Sequence, residues 1–166
     1  DSWAVYHKGM NGGTNPQDYY DALNSDNGMQ TLSDFWGSSG PTATDFTIAQ
    51  TYRATGNHIY MLFASVAGIS KVGYYSGSNS SQTITTGFQP RMVIIKSTSS
   101  SRNWVLLDTT RGWASGNDEE LNINKADAQG GNNDFGAPTA TGFTINYFGN
   151  DDTNNSGFTY IYYAHA

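Results

Sequence analysis

An internal repeat constrains a fold more tightly than composition does, and this chain carries one. Pro41-Thr42-Ala43-Thr44-Asp45-Phe46-Thr47-Ile48 returns as Pro138-Thr139-Ala140-Thr141-Gly142-Phe143-Thr144-Ile145, with one difference in eight. Trp3 answers to Trp104, Leu23-Asn24 to Leu121-Asn122, Asp34-Phe35 to Asp134-Phe135, and Tyr60 to Tyr162. Offsets run from 97 (Pro41 to Pro138) to 102 (Tyr60 to Tyr162), as loops drifting around a fixed set of strands would give. The expectation is a single domain, 1–166, holding an incomplete copy at 1–68 and a complete copy at 69–166.

The copies differ by a hairpin arm. In the second, Arg91-Met92-Val93-Ile94-Ile95-Lys96 and Asn103-Trp104-Val105-Leu106-Leu107-Asp108 are apolar runs joined by a small polar linker, which predicts a buried β-hairpin. The first copy holds only the second arm, Ser2-Trp3-Ala4-Val5-Tyr6-His7, and nothing in it corresponds to 69–102. A buried strand with an open side leaves N–H and C=O groups unbonded, at about 1–3 kcal/mol each. Another molecule is expected to cover that edge, so Trp3, Ala4, Val5, Tyr6 and His7 are the candidate inter-subunit contact. The chain starts at Asp1 and not at Met, which suits a processed product, an excised segment or part of something longer.

Charged residues make up only 13% of the chain, and Ser, Thr, Asn and Gly separate short runs rich in aromatics, a composition poor for helices and good for strands. Phe46-Thr47-Ile48 and Phe143-Thr144-Ile145-Asn146-Tyr147 alternate as half-exposed strands do. The denser runs 58–64 and 158–164 predict central strands, and 69–75 and 82–86 predict two more. Asn15-Pro16 could open a helix, yet 20–24 aligns with Glu120-Leu121-Asn122 and reads as a strand. The predicted class is all-β: a jelly-roll-like β-sandwich of two antiparallel sheets, with the copies interleaved.

The runs Ser2-Trp3-Ala4-Val5-Tyr6-His7-Lys8-Gly9, Phe63-Ala64-Ser65-Val66-Ala67-Gly68-Ile69-Ser70-Lys71-Val72-Gly73-Tyr74-Tyr75 and Thr86-Gly87-Phe88-Gln89-Pro90 resemble a β-rich domain of phage virion and tail-fibre structural proteins. Gly87-Phe88-Gln89-Pro90, leading into a strand that ends at Lys96, is the most specific part. The resemblance implies a jelly-roll or lectin-like sandwich on a particle or filament surface, and carries no catalytic residues with it.

Little in the sequence supports chemistry. A net charge of -6 leaves no basic patch for phosphates, which argues against nucleic acid. No apolar stretch approaches the ~20 residues that span a bilayer. There is no cysteine, His7, His58 and His165 keep no metal-ligand spacing, and Glu119 and Glu120 would point to opposite faces of a strand. No catalytic residues, resident metal or cofactor are therefore expected. Asn150-Asp151-Asp152-Thr153-Asn154-Asn155 offers hard oxygens of the kind calcium takes, though such residues also make plain solvated turns. Trp36, Trp113, Tyr74 and Tyr75 lie near Gly- and Ser-rich turns, and the two tryptophans are unique to one copy. They are the candidate glycan contacts, whereas Trp3 and Trp104 are expected in the core. Asn79 and Asn154 head glycosylation sequons in predicted loops.

Two functions compete on this reading. The favoured one is a non-enzymatic, extracellular or virion-surface structural subunit that polymerises with copies of itself by β-strand complementation. The alternative is a lectin-like glycan-binding module of a phage tail fibre.

Overall fold

A computed structural model describes residues 2–52, 55–149 and 152–166. Among them the regular elements are twelve short strands and three 3-10 turns. The first half of the chain contributes β1 (Ala4–Val5), β2 (Tyr19–Ala22) and β3 (Gln30–Thr31). The second contributes β4 (Ser70–Ser76), β5 (Gln82–Thr85), β6 (Met92–Ser97), β7 (Trp104–Asp108) and β8 (Asp118–Asn122). It continues with β9 (Gly130–Asn133), β10 (Pro138–Thr139), β11 (Gly142–Ile145) and β12 (Thr159–His165). The predicted helix start at Asn15 gives only a 3-10 turn, Pro16–Asp18, because Asn15 adopts a left-handed conformation and makes no side-chain cap.

All the sheets are antiparallel. The largest has the order β4-β12-β6-β7-β8-β9, and two three-stranded sheets have the orders β10-β11-β5 and β1-β2-β3. The predicted hairpin forms between β6 and β7, with Ile94 opposite Leu106 and Ile95 opposite Val105.

Successive side chains of a strand point to opposite faces, so the six-stranded sheet feeds two cores. Val93, Ile95, Val105, Leu107, Tyr160, Tyr162 and Ala164 join Ile84, Phe143 and Ile145 in the main core, against the β10-β11-β5 sheet. Ile94, Trp104 and Ile161 face the other way, packing with Met10, Val5, Tyr19 and Leu23 beneath the β1-β2-β3 sheet. Burial on both faces explains why β6 and β12 read as continuous apolar runs. Each large apolar side chain so buried contributes about 1.5–3 kcal/mol. The two halves do not interleave; the first lies as a separate layer on the second.

Hydrogen bonds of one half recur in the other. The Trp3 amide donates to Asn24 Oδ1 at 3.0 Å, and the Trp104 amide donates to Asn124 Oδ1 at 2.9 Å. Leu23 N–H donates to the Trp3 carbonyl and Ile123 N–H to that of Trp104, both at 2.9 Å. Ala49 bonds back to Phe35 at 3.1 Å as Asn146 does to Phe135 at 2.9 Å. These bonds match Leu23-Asn24 with Ile123-Asn124, two residues beyond the Leu121-Asn122 suggested by sequence identity. The order β1-β2-β3 likewise parallels β7-β8-β9.

The parallel ends where partners run out. Residues 46–48 and 58–64, predicted as strands, carry no strand assignment. Of the corresponding segments of the second half, β11 is held between β10 and β5, and β12 between β4 and β6. Among the described residues no strand pairs with 46–48 or 58–64.

Candidate assembly site

The Trp3 segment lies at the margin of its sheet. β1 pairs on one side with β2, Ala4 opposite Ala22 and Val5 opposite Asp21, and has no strand on its other side among the described residues. Trp3 is 51% exposed, against the expectation that it shares the core with Trp104. The difference is positional. Trp104 lies between the two layers and donates its indole N–H to the Ala22 carbonyl at 3.0 Å, whereas Trp3 is on the outer layer and half-exposed. Within the expected contact Trp3–His7, the first residues face outward. Val5 and Tyr6 are half-buried, and the Tyr6 ring meets Trp36 edge-on at 5.7 Å.

His7 turns inward instead. Its Nδ1 accepts from the Gly9 amide at 2.8 Å, which leaves the proton on Nε2 to donate to the Tyr162 carbonyl at 3.3 Å. Burial draws its pKa down to about 4, with the nearby Lys8 charge adding to the shift. The unfolded chain takes up a proton at about 6.5 and the folded chain does not, so this contribution is present above 6.5 and lost as pH falls toward 4. Asp21, raised to about 6 by burial, acts in the opposite sense over much of that window. Comparison with His7→Gln cancels Asp21. The stability advantage of wild type over that variant should shrink by about 3 kcal/mol between pH 7 and pH 4, measured by urea unfolding.

The largest apolar exposure lies elsewhere, in a segment the sequence placed in the core. Ile59, Tyr60, Met61, Leu62 and Phe63 follow one another with exposures from 47% to 79%. Tyr60 stands against Phe46 with ring centroids 5.0 Å apart, and Phe63 against Tyr163 at 4.8 Å. The C-terminal end is tied down by Ser70 Oγ, which donates to the Ala64 carbonyl at 2.7 Å. Five successive large apolar residues in the open exceed the singly scattered exposure usual for a protein surface. Their density was legible in the sequence and read there as burial; among the described residues no strand flanks them, and they stand exposed.

The two halves are joined by a buried charge pair. Lys96 Nζ of β6 lies 3.6 Å from Asp21 Oδ2 of β2, both side chains fully buried. The ammonium also donates to the carbonyls of Asn27 and Ser97, each at 2.7 Å. Burial draws Lys96 down and pushes Asp21 up, so desolvation outweighs their mutual attraction in both.

The other candidates fare differently. Trp36, Trp113 and Tyr75 are buried and cannot stack on a sugar from solvent. Trp36 donates its indole N–H to the Tyr19 carbonyl at 2.9 Å, Trp113 meets Phe143 edge-on, and Tyr75 stacks on Tyr160. The two tryptophans without a repeat partner thus fill interior space. Tyr74 remains 49% exposed, lying over Gly9, whose lack of a side chain makes room for it. Of the sequons, Asn79 is exposed but Asn154 is fully buried. Asn154 donates to the Ser80 carbonyl at 2.8 Å and accepts from Gln82 at 2.6 Å, so it is a structural bridge and not a glycan acceptor. Of the suggested calcium loop, Asn150 and Asp151 lie outside the described residues. Asp152 receives a bond from Asn103 at 2.9 Å, and Thr153 to Asn155 are buried. Among the described residues no three His, Cys, Asp or Glu side chains gather as a metal site would require.

The family model of a domain of unknown function (DUF7483) matches the chain over residues 1–166. No curated protein and no solved structure matches it.

Proposed function

The chain belongs to the DUF7483 family, and from its own geometry we propose that it is a non-enzymatic structural subunit completed by β-strand pairing with a neighbouring molecule, as in a fibre or filament outside the cell. The observation that carries this reading is the apolar run 59–63, exposed and outside every strand ladder among the described residues. A strand added there gains backbone hydrogen bonds and buries alternate apolar side chains in one step. The open side of β1 beside the half-exposed Trp3 offers a second edge of the same kind. Acceptor and donor surfaces of this sort differ, so contacts between identical subunits would be heterologous and would propagate unless the rotation closes a ring. Of the four rings weighed for sugar stacking only Tyr74 reaches solvent, which leaves the glycan-binding alternative with little to stand on.

Sedimentation velocity with negative-stain imaging tests the reading. The wild-type chain is expected to form elongated oligomers as its concentration rises. Met61→Lys/Leu62→Lys is expected to stay monomeric with an unchanged melting temperature, since both positions are already exposed. A wild-type chain that remains monomeric at every concentration would refute it.

A further inference from the structure

Lys96 and Asp21 bring an amine and a carboxyl together out of reach of solvent. Nζ lies 3.6 Å from Oδ2, with both side chains fully buried. Asp21 Oδ1 accepts from the Ala22 amide at 2.7 Å, while Oδ2 has no hydrogen-bond partner among the described residues. The walls are apolar. Trp104 and Ile161 stand opposite Lys96 in the strands on either side of β6, and Val5 stands opposite Asp21. The Trp104 ring centroid is 6.0 Å from Nζ.

The hydrogen bonds of Lys96 suit a neutral amine, which has two N–H groups and one lone pair. The carbonyls of Asn27 and Ser97 each accept from Nζ at 2.7 Å, which occupies both N–H groups. The Asp26 carbonyl is farther, at 3.4 Å. What remains for the lone pair is the carboxyl of Asp21. Charge in such surroundings is costly, and moving one proton from the ammonium to the carboxylate discharges both groups. Burial shifts them in that sense, Lys96 downward and Asp21 up to about 6.

We propose that Lys96 and Asp21 condense into an amide, an isopeptide bond from Nζ to Cγ that fastens β6 to β2 with release of one water. A proton first passes from the ammonium to Oδ2. The amine lone pair attacks Cγ, and the carbonyl electron pair moves onto Oδ1, where the Ala22 amide meets the developing charge. As the tetrahedral centre collapses, the Cγ–Oδ2 bond breaks and Oδ2 leaves with its own proton and one from the nitrogen, as water. Nothing is oxidised or reduced, and no other reactant enters. Folding supplies the proximity that two free groups lack, and the dry site protects the amide from hydrolysis. Until the bond forms, the two groups act as a buried charge pair. Once formed, it closes the chain between residues 21 and 96 into a loop that unfolding cannot open. Both groups belong to one chain, so the inference stands or falls independently of assembly.

Intact-mass spectrometry of the folded full chain, sampled through prolonged incubation at neutral pH, tests it. The wild-type mass is expected to fall below the mass of the sequence by one water. Tryptic digestion should then yield residues 9–53 joined to residues 92–102, since cleavage after a condensed Lys96 is blocked. Lys96→Arg and the paired Lys96→Met/Asp21→Leu variant should keep their full masses, as should wild type held unfolded in guanidinium. A folded wild-type chain that retains its full mass would overturn the proposal whether or not the variants fold. So would a loss of water that maps to other residues, or one that occurs equally in the paired variant or in the unfolded chain.

Discussion

Replacing Lys96 with methionine is expected to destabilise the folded chain by about 3–5 kcal/mol in urea unfolding, the usual cost of removing one member of a buried charge pair. Lys96 is the charged bond between the halves: it neutralises Asp21, ties the carbonyls of Asp26 and Asn27 to β6, and donates to the carbonyl of its neighbour Ser97. Without it, Asp21 keeps the Ala22 amide at 2.7 Å but has no counter-charge. Its carboxyl is already raised to about 6 by burial, and losing Lys96 raises it further. A group with a raised folded pKa stabilises the fold at low pH and loses that contribution as pH rises through the folded value. The penalty of Lys96→Met should therefore be smaller at pH 5 than at pH 8. Adding Asp21→Leu should recover a large part of the loss, because a paired apolar replacement removes both desolvation costs. No recovery in the double variant would mean that the carbonyl bonds of Lys96, and not its charge, hold the layers together.

Gly142→Asp is expected to prevent folding or to cost more than about 3 kcal/mol, although it only copies the first half's motif into the second. Gly142 is buried opposite Thr85, and a side chain there runs into the Ile84 carbonyl, a backbone group fixed by the β5–β11 ladder. Even Gly142→Ala should cost about 1–3 kcal/mol. Asp45→Gly, the reverse exchange, should change stability by about 1 kcal/mol or less, since Asp45 is exposed and borders no strand. Thermal unfolding of the three variants side by side is sufficient. Equal effects at 45 and 142 would mean that the two copies of the motif have equivalent surroundings.

The same contrast explains which parts of the fold were legible beforehand. The β6–β7 hairpin, β4, β5, β11 and β12 follow from apolar density and period, because each finds its partners within the second half of the chain. The run 58–64 has the same density as β12, and a pattern of that kind reports a preference for burial without reporting whether flanking strands exist. Trp3 and Trp104 repeat in sequence but not in environment, because only Trp104 lies between two layers. Trp36 and Trp113 misled in the opposite direction: each packs an interior shaped by its own half, with Tyr6 and Phe35 around one and Phe143 beside the other. The Lys96–Asp21 pair left no local signature, since its members are 75 residues apart in sequence (96 minus 21) and meet only when the layers stack.

Amide hydrogen exchange at residues 59–63, compared between dilute monomer and concentrated assembled chain, tests the central claim most directly. Strand completion predicts fast exchange at these residues in the monomer and protection in the assembly comparable to that of β12. Exchange at 59–63 that stays fast in assembled material would contradict it.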